Sequence, residues 1–137
     1  METIFVDTSG WFALLSSQDE HHQEVKNYLR ENRLPFVTTN YVVAETVNLL
    51  MSRKSHFLAV TFLEKIEQSP RVSVHHISPS QHQETIQFFK QHSDKEFSFI
   101  DCASFVAMKS LNCRKALAFD HHFLQAGFQA VPLSISD

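Results

Sequence analysis

An α/β fold, with a mostly parallel sheet covered by helices on both faces, is predicted by three observations. Five short apolar runs, IFV at 4–6, PFVT at 35–38, VSVHHI at 72–77, KALAF at 115–119 and FQAVPL at 128–133, alternate with longer segments of helical periodicity. The runs are nearly continuous in apolar residues, as strands buried on both faces must be. No repeat, low-complexity tract or linker breaks the alternation, so residues 1–137 are expected to form one three-layer α/β/α domain. A length of 137 residues, 43% of them hydrophobic and 13 of them Phe, suffices for the core such a domain needs.

The first run, IFV, is stopped by Asp7-Thr8-Ser9-Gly10, which reads as a buried strand turning into a helix. Residues 18–32 carry Val25, Tyr28 and Leu29 at helical spacing, and Pro35 then opens the second strand. Thr38, Thr39 or Asn40 can cap a helix running to about Arg53. The next helix, 55–68, aligns Leu58, Phe62 and Ile66 at four-residue spacing and ends before Pro70. After the third strand, residues 80–92 fit a helix through Ile86, Phe88 and Phe89, and a polar loop at 92–96 leads to another helix beginning near Ser98. The fourth strand stops at Asp120; a short helical turn to about Ala126 and Gly127 precede the fifth.

Composition excludes several functions. A formal charge of −3 gives no general attraction for a phosphate backbone, so any nucleic-acid contact must be local; Arg30 with Arg33, and Arg53 with Lys54, are the candidates, although each reads first as solvated surface. No apolar stretch reaches the roughly 18 residues a membrane span needs, and METIFVD does not open as a secretion signal, which points to a cytosolic protein without membrane contact. Cys102 and Cys113, separated by ten residues, form no metal or disulfide framework and read as packing residues. With only Gly10 and Gly127 in the chain, neither a P-loop nor a dinucleotide fingerprint can be written. His21-His22, His75-His76 and His121-His122 lack zinc-site spacing; His121 and His122 follow Asp120 directly, but neighbours on a helix diverge, and both are expected at the surface.

The chemistry lies in four acids. Asp7 and Asp120 each follow a strand, at the sheet edge where open α/β folds bind ligands, although each alone would pass for a helix N-cap. Asp101 in FSFIDCASFVAM and Glu45 in YVVAETVNLL sit on otherwise apolar helices, Asp101 with a capping-box alternative through Ser98. A buried, unpaired carboxylate is costly, and Lys and Arg are scarce in these segments. Two carboxylates about 5 Å apart repel by roughly 3 kcal/mol at an effective dielectric of about 20. A divalent cation is the simplest compensation, and an all-oxygen donor set favours Mg²⁺ or Mn²⁺ over Zn²⁺.

Four stretches, FVDTSGWFALL, TTNYVVAETVNLL, FSFIDCASFVAM and ALAFDHHFLQAGF, resemble the acid-bearing motifs of the PIN-domain nucleases, above all the VapC-like toxin ribonucleases of bacterial toxin–antitoxin modules. The resemblance spans nearly the whole chain. It implies that Asp7, Glu45, Asp101 and Asp120 are the acidic site residues, that Ser9 is the polar residue after the first acid, and that the sheet has five parallel strands in the order 3-2-1-4-5. It further implies a metal-dependent endoribonuclease that dimerises and is neutralised by a small antitoxin. On this reading Asp7 and Asp101 ligate the metal directly, Glu45 and Asp120 bind through water, complete a second metal site or orient the attacking water, and Ser9 bonds a ligand or phosphate, or else its own helix start. The long helices over 39–53 and 55–68 hold enough apolar side chains for an interface as well as a core. Two rivals stand beside it. A haloacid-dehalogenase-type phosphatase needs a second Asp where this chain has Ser9, and a PIN-like module that binds RNA or protein without cutting does not need the full acid set.

Overall fold

The computed structural model describes residues 2–132. The chain runs β1 (Ile4–Val6), α1 (Thr8–Leu15), α2 (His22–Glu31), β2 (Phe36–Thr39), α3 (Asn40–Arg53), α4 (His56–Gln68), β3 (Val72–His75), α5 (Pro79–Gln91), α6 (Phe99–Ser110), β4 (Lys115–Leu117), α7 (His122–Gln125) and β5 (Gln129–Val131). The strands form one sheet of order β3-β2-β1-β4-β5 and every adjacent pair is parallel. The α/β expectation and the implied strand order both hold.

Central β1 is inaccessible at all three residues, while the edge strands β3 and β5 are partly exposed. Its side chains alternate between two cores. Phe5 meets Phe123 of α7, which packs edge-on against Phe105 of α6. Ile4 is in register with Phe36, on the other face, where Trp11 of α1 packs edge-on against Phe36 and Phe62 of α4. Helices therefore cover both faces, and no helix among the described residues is long and apolar enough to cross a membrane.

Helix starts follow the expected caps. Thr39, Ser55, Ser78 and Ser98 each accept a backbone N–H with their side chains, and Ser78 and Ser98 form full capping boxes with Gln81 and Asp101. Four elements differ in their bounds from expectation. The helix expected from residue 18 starts at His22, because the Asp19 side chain takes the His21 N–H and the Ser16 and Asp19 carbonyls close turns over 16–22. The third strand ends at His75 instead of Ile77, whose N–H goes to Asn40 Oδ1 at 2.8 Å. The fourth ends at Leu117 because the Phe119 N–H bonds Ser9 Oγ at 3.1 Å and leaves the ladder. The fifth covers Gln129–Val131, and Leu133 of the expected run lies outside the described residues.

Candidate active site

The order of the sheet decides where the acids meet. From β1 the chain moves outward to β2 and β3, then returns to the other side of β1 for β4 and β5, so β1 and β4 flank the switch point where parallel sheets open a crevice. Asp7 ends β1 and Asp120 follows β4 at that edge. Glu45 reaches it from α3 and Asp101 from the first turn of α6. Asp7 feels the charge of all three other acids, while the tightest group, with one atom each within 4.8 Å of one another, is Asp101, Asp120 and His122 and includes neither Asp7 nor Glu45.

Each acid has one oxygen held by a donor of the chain. Glu45 Oε1 accepts the Thr8 hydroxyl at 2.6 Å. Asp101 Oδ2 accepts the Ser98 N–H at 3.0 Å and His122 Nδ1 at 2.7 Å. Asp120 Oδ1 accepts the His122 N–H at 3.0 Å. Asp7 Oδ2 faces the Ser9 hydroxyl at 3.5 Å, the long limit of a hydrogen bond. Among the described residues, the second oxygen of each takes no side-chain donor. The capping alternatives sort differently from expectation: Asp7 occupies the N-cap position of α1 without a capping bond, whereas Asp101 and Asp120 do bond local backbone N–H groups. Glu45 is half-buried, since the first turns of α3 stand at the open edge of the sheet.

The electrostatics penalise the ionised forms of Asp7 and Asp120. Asp7 is 4% exposed, and its carboxyl is pushed up from 3.8 to about 8, first by burial, then by Asp120 and Asp101, with Glu45 adding to the shift and the Thr8 backbone N–H opposing it. Burial likewise raises Asp120, and Asp101 adds to it, against the His122 N–H and the rings of His122 and His121. Among the described residues no Lys or Arg pairs with any of the four acids; the side chain that contacts two of them is the His122 imidazole. Carboxylate oxygen donors without a Lys or Arg partner suit a hard divalent ion. A pH dependence follows for the metal-free protein. An unfolded Asp7 ionises near 3.8 while the folded one holds its proton to about 8, so the unfolded chain binds fewer protons between these values and folding stability falls as pH rises through them. In EDTA the melting temperature of the wild type should fall from pH 4 to pH 8 more steeply than that of Asp7→Asn, which has no proton to lose. Parallel slopes in a denaturation series would contradict the shift.

A PIN domain model matches residues 4–129. The chain belongs to the PIN-domain family. It is 35% identical over 128 residues to the 23S rRNA-specific endonuclease VapC20 of Mycobacterium tuberculosis, covering 93% of this chain and 97% of that one. The crystal structure of VapC20, a sarcin–ricin loop cleaving toxin, matches with a TM-score of 0.85 at 34% identity, over 91% of this chain and 95% of that chain. Two more distant structures share the fold. FitAcB from Neisseria gonorrhoeae has a TM-score of 0.63 at 18% identity, over 93% and 95% of the two chains. VapBC2 from Rickettsia felis, bound to a DNA fragment of its promoter, has 0.66 at 11%, over 93% and 96%.

Within this PIN domain, sequence reasoning placed one histidine wrongly. His121 is exposed as expected, but His122 is half-buried with its ring on Asp101 and Phe97, because the Asp120 turn swings residue 122 back toward α6. Helical periodicity could not show this, since the Asp120–His122 contact belongs to a turn. Thr8 was also unrecognised as a donor to Glu45, whereas the Ser98 capping box weighed for Asp101 is present. Arg30, Arg33, Arg53 and Lys54 are all exposed, and Arg30 and Arg33 lie toward the opposite edge of the sheet, before β2. Cys102 and Cys113 are buried and free; burial pushes the Cys102 thiol up to about 11, so it stays neutral and inert. A groove of about 780 Å³ between α5 and α6, lined by Gln87, Phe88, Phe105 and Lys109 among others, includes none of the four acids.

Proposed function

We propose that this PIN-domain chain is a Mg²⁺- or Mn²⁺-dependent endoribonuclease, the toxin of a toxin–antitoxin module, working in the cytoplasm as one domain over residues 1–137. The observation that supports this reading is a set of acids from four elements near one sheet edge, Asp7 feeling the charge of Glu45, Asp101 and Asp120, with no Lys or Arg among the described residues paired to any of them. Asp7 and Asp101 would hold the metal directly. Glu45 and Asp120 would hold water at the site or complete a second metal position. Ser9 ties the start of α1 to the end of β4 and so sets Asp7 against Asp120. When bound, the metal supplies Lewis acidity, making water a better nucleophile near neutral pH and offsetting charge on the phosphate oxygens. A module that only binds RNA would gain nothing from four crowded carboxylates.

Ribosomal RNA is the first substrate to try, because VapC20, 35% identical, is 23S rRNA-specific. A small antitoxin and a second copy of the chain are the proposed partners. Met51 of α3 and Phe57, Val60 and Leu63 of α4 are exposed apolar residues, Phe57 at 78%, and supply surface for such contacts. The test is incubation of the purified chain with ribosomal and transfer RNA across Mn²⁺ and Mg²⁺ series. Discrete new ends are expected with metal and none in EDTA. Intact RNA throughout, with folded protein, would refute the nuclease assignment.

A further inference from the structure

We infer that His122 is a positioning residue, which fixes the carboxylates of Asp101 and Asp120 relative to each other through its Nδ1 and its backbone N–H. This rests on the nuclease reading above and extends it to a residue outside the acid set. Asp101 comes from the first turn of α6 and Asp120 from the end of β4, two elements with no covalent reason to stay in step. His122 touches both: its Nδ1 is 2.7 Å from Asp101 Oδ2 and its N–H is 3.0 Å from Asp120 Oδ1. A carboxylate oxygen accepts only, so the facing Nδ1 carries the hydrogen.

The histidine is itself held from two sides. Its edge packs against Phe97 with ring centroids 5.7 Å apart, and Phe97 is buried against Phe105. The next residue, Phe123, is fully buried between Phe5 and Phe105, so the backbone of α7 is pinned to the core. The ring is therefore a rigid spacer from the core to the acid cluster. Without it, Asp101 Oδ2 keeps only the Ser98 N–H, and the carboxylate can rotate away from Asp120. Removing an outer partner that orients a metal-site ligand costs about 10–100-fold in metal affinity or activity.

The rival is that His122 is itself a ligand, since one atom each of Asp101, Asp120 and His122 lie within 4.8 Å of one another. Two amide substitutions separate these roles, because the Asn amide reaches the place of Nδ1 and the Gln amide that of Nε2. Mn²⁺ affinity is measured with the metal alone, by electron paramagnetic resonance, for wild type, His122→Ala, His122→Asn and His122→Gln, with melting temperatures of the metal-free proteins and kcat on ribosomal RNA. His122→Ala should weaken Mn²⁺ binding by about 10–100-fold, and His122→Asn should recover most of that loss while His122→Gln does not. Unchanged affinity in His122→Ala, losses that merely follow melting temperature, or rescue by Gln instead of Asn would overturn the inference and leave the nuclease reading standing. Failure of the wild type to bind Mn²⁺ would overturn both.

Discussion

Asp7→Asn is expected to lower RNA cleavage by at least about a thousandfold while leaving the metal-free fold as stable as the wild type or more so. The two halves of that result have one cause. Burial and three neighbouring acids raise the Asp7 carboxyl to about 8, so the metal-free protein near neutral pH favours its neutral form. Asn has the same shape, carries no charge and keeps an acceptor oxygen toward Ser9, so the fold loses a source of repulsion and little else. A carboxylate kept for structure would show the opposite, lower stability with activity falling in step; stability gained on removing a group marks a site that gives up stability for function. Asp101→Asn should lose cleavage to a similar extent, but with a stability cost of up to about 1 kcal/mol, because its Oδ2 also serves the Ser98 capping box and His122. The measurements are initial rates on ribosomal RNA with saturating Mn²⁺ and thermal melts in EDTA. Cleavage at the wild-type rate by folded, sequence-verified variants would remove these acids from the site.

Much of this arrangement is legible in the sequence because it depends on local rules. Five apolar runs and the intervening periodicity mark strands and helices, and Thr39 and Ser98 announce helix starts through their own hydroxyls. What periodicity cannot carry is strand order, since which strand lies beside β1 is decided by how two helix layers pack over it; here that order came only through the family resemblance. Boundaries shift wherever a side chain competes for backbone groups, as Asp19 does before α2, Asn40 at Ile77 and Ser9 at Phe119. The site shows the same divide. Asp101 and Glu45 stand out in the sequence as acids on otherwise apolar helices; Asp101 is buried as that implies, while Glu45 is half-exposed and depends on a Thr8 contact made across 37 residues. His122 was invisible for a similar reason. Its partner Asp101 is 21 residues away, and nothing in DHHF signals that the second histidine turns inward.

The other large effect is expected at a residue with no polar chemistry. Gly10→Ala should destabilise the protein by about 3 kcal/mol or more, lowering its melting temperature by roughly 10 °C, although alanine at a helical position normally gains about 1 kcal/mol over glycine. The sign is decided by space. A Cβ at Gly10 would stand 2.4 Å from the Leu117 carbonyl oxygen, 3.0 Å from Leu117 Cγ and 3.1 Å from Val6 Cγ1. That oxygen is backbone in β4 and already accepts the Asp7 N–H at 3.2 Å, so it cannot swing aside as a side-chain tip could. The clash can be relieved only by moving the start of α1 away from the sheet, which also stretches the Phe119 N–H to Ser9 bond that sets Asp7 beside Asp120. Gly10 thus couples packing to chemistry, and cleavage by Gly10→Ala should stay below the wild-type rate even at temperatures where the variant is fully folded. Gly127 is the natural control: a Cβ there meets nothing within 4 Å, but its φ of +95° penalises alanine by about 1 kcal/mol, far from the acids. Gly127→Ala should therefore lose a little stability and keep its cleavage rate. Equal melting temperatures for Gly10→Ala and wild type would mean that α1 lies farther from β4 than described, and the placement of Asp7 would have to be revised with it.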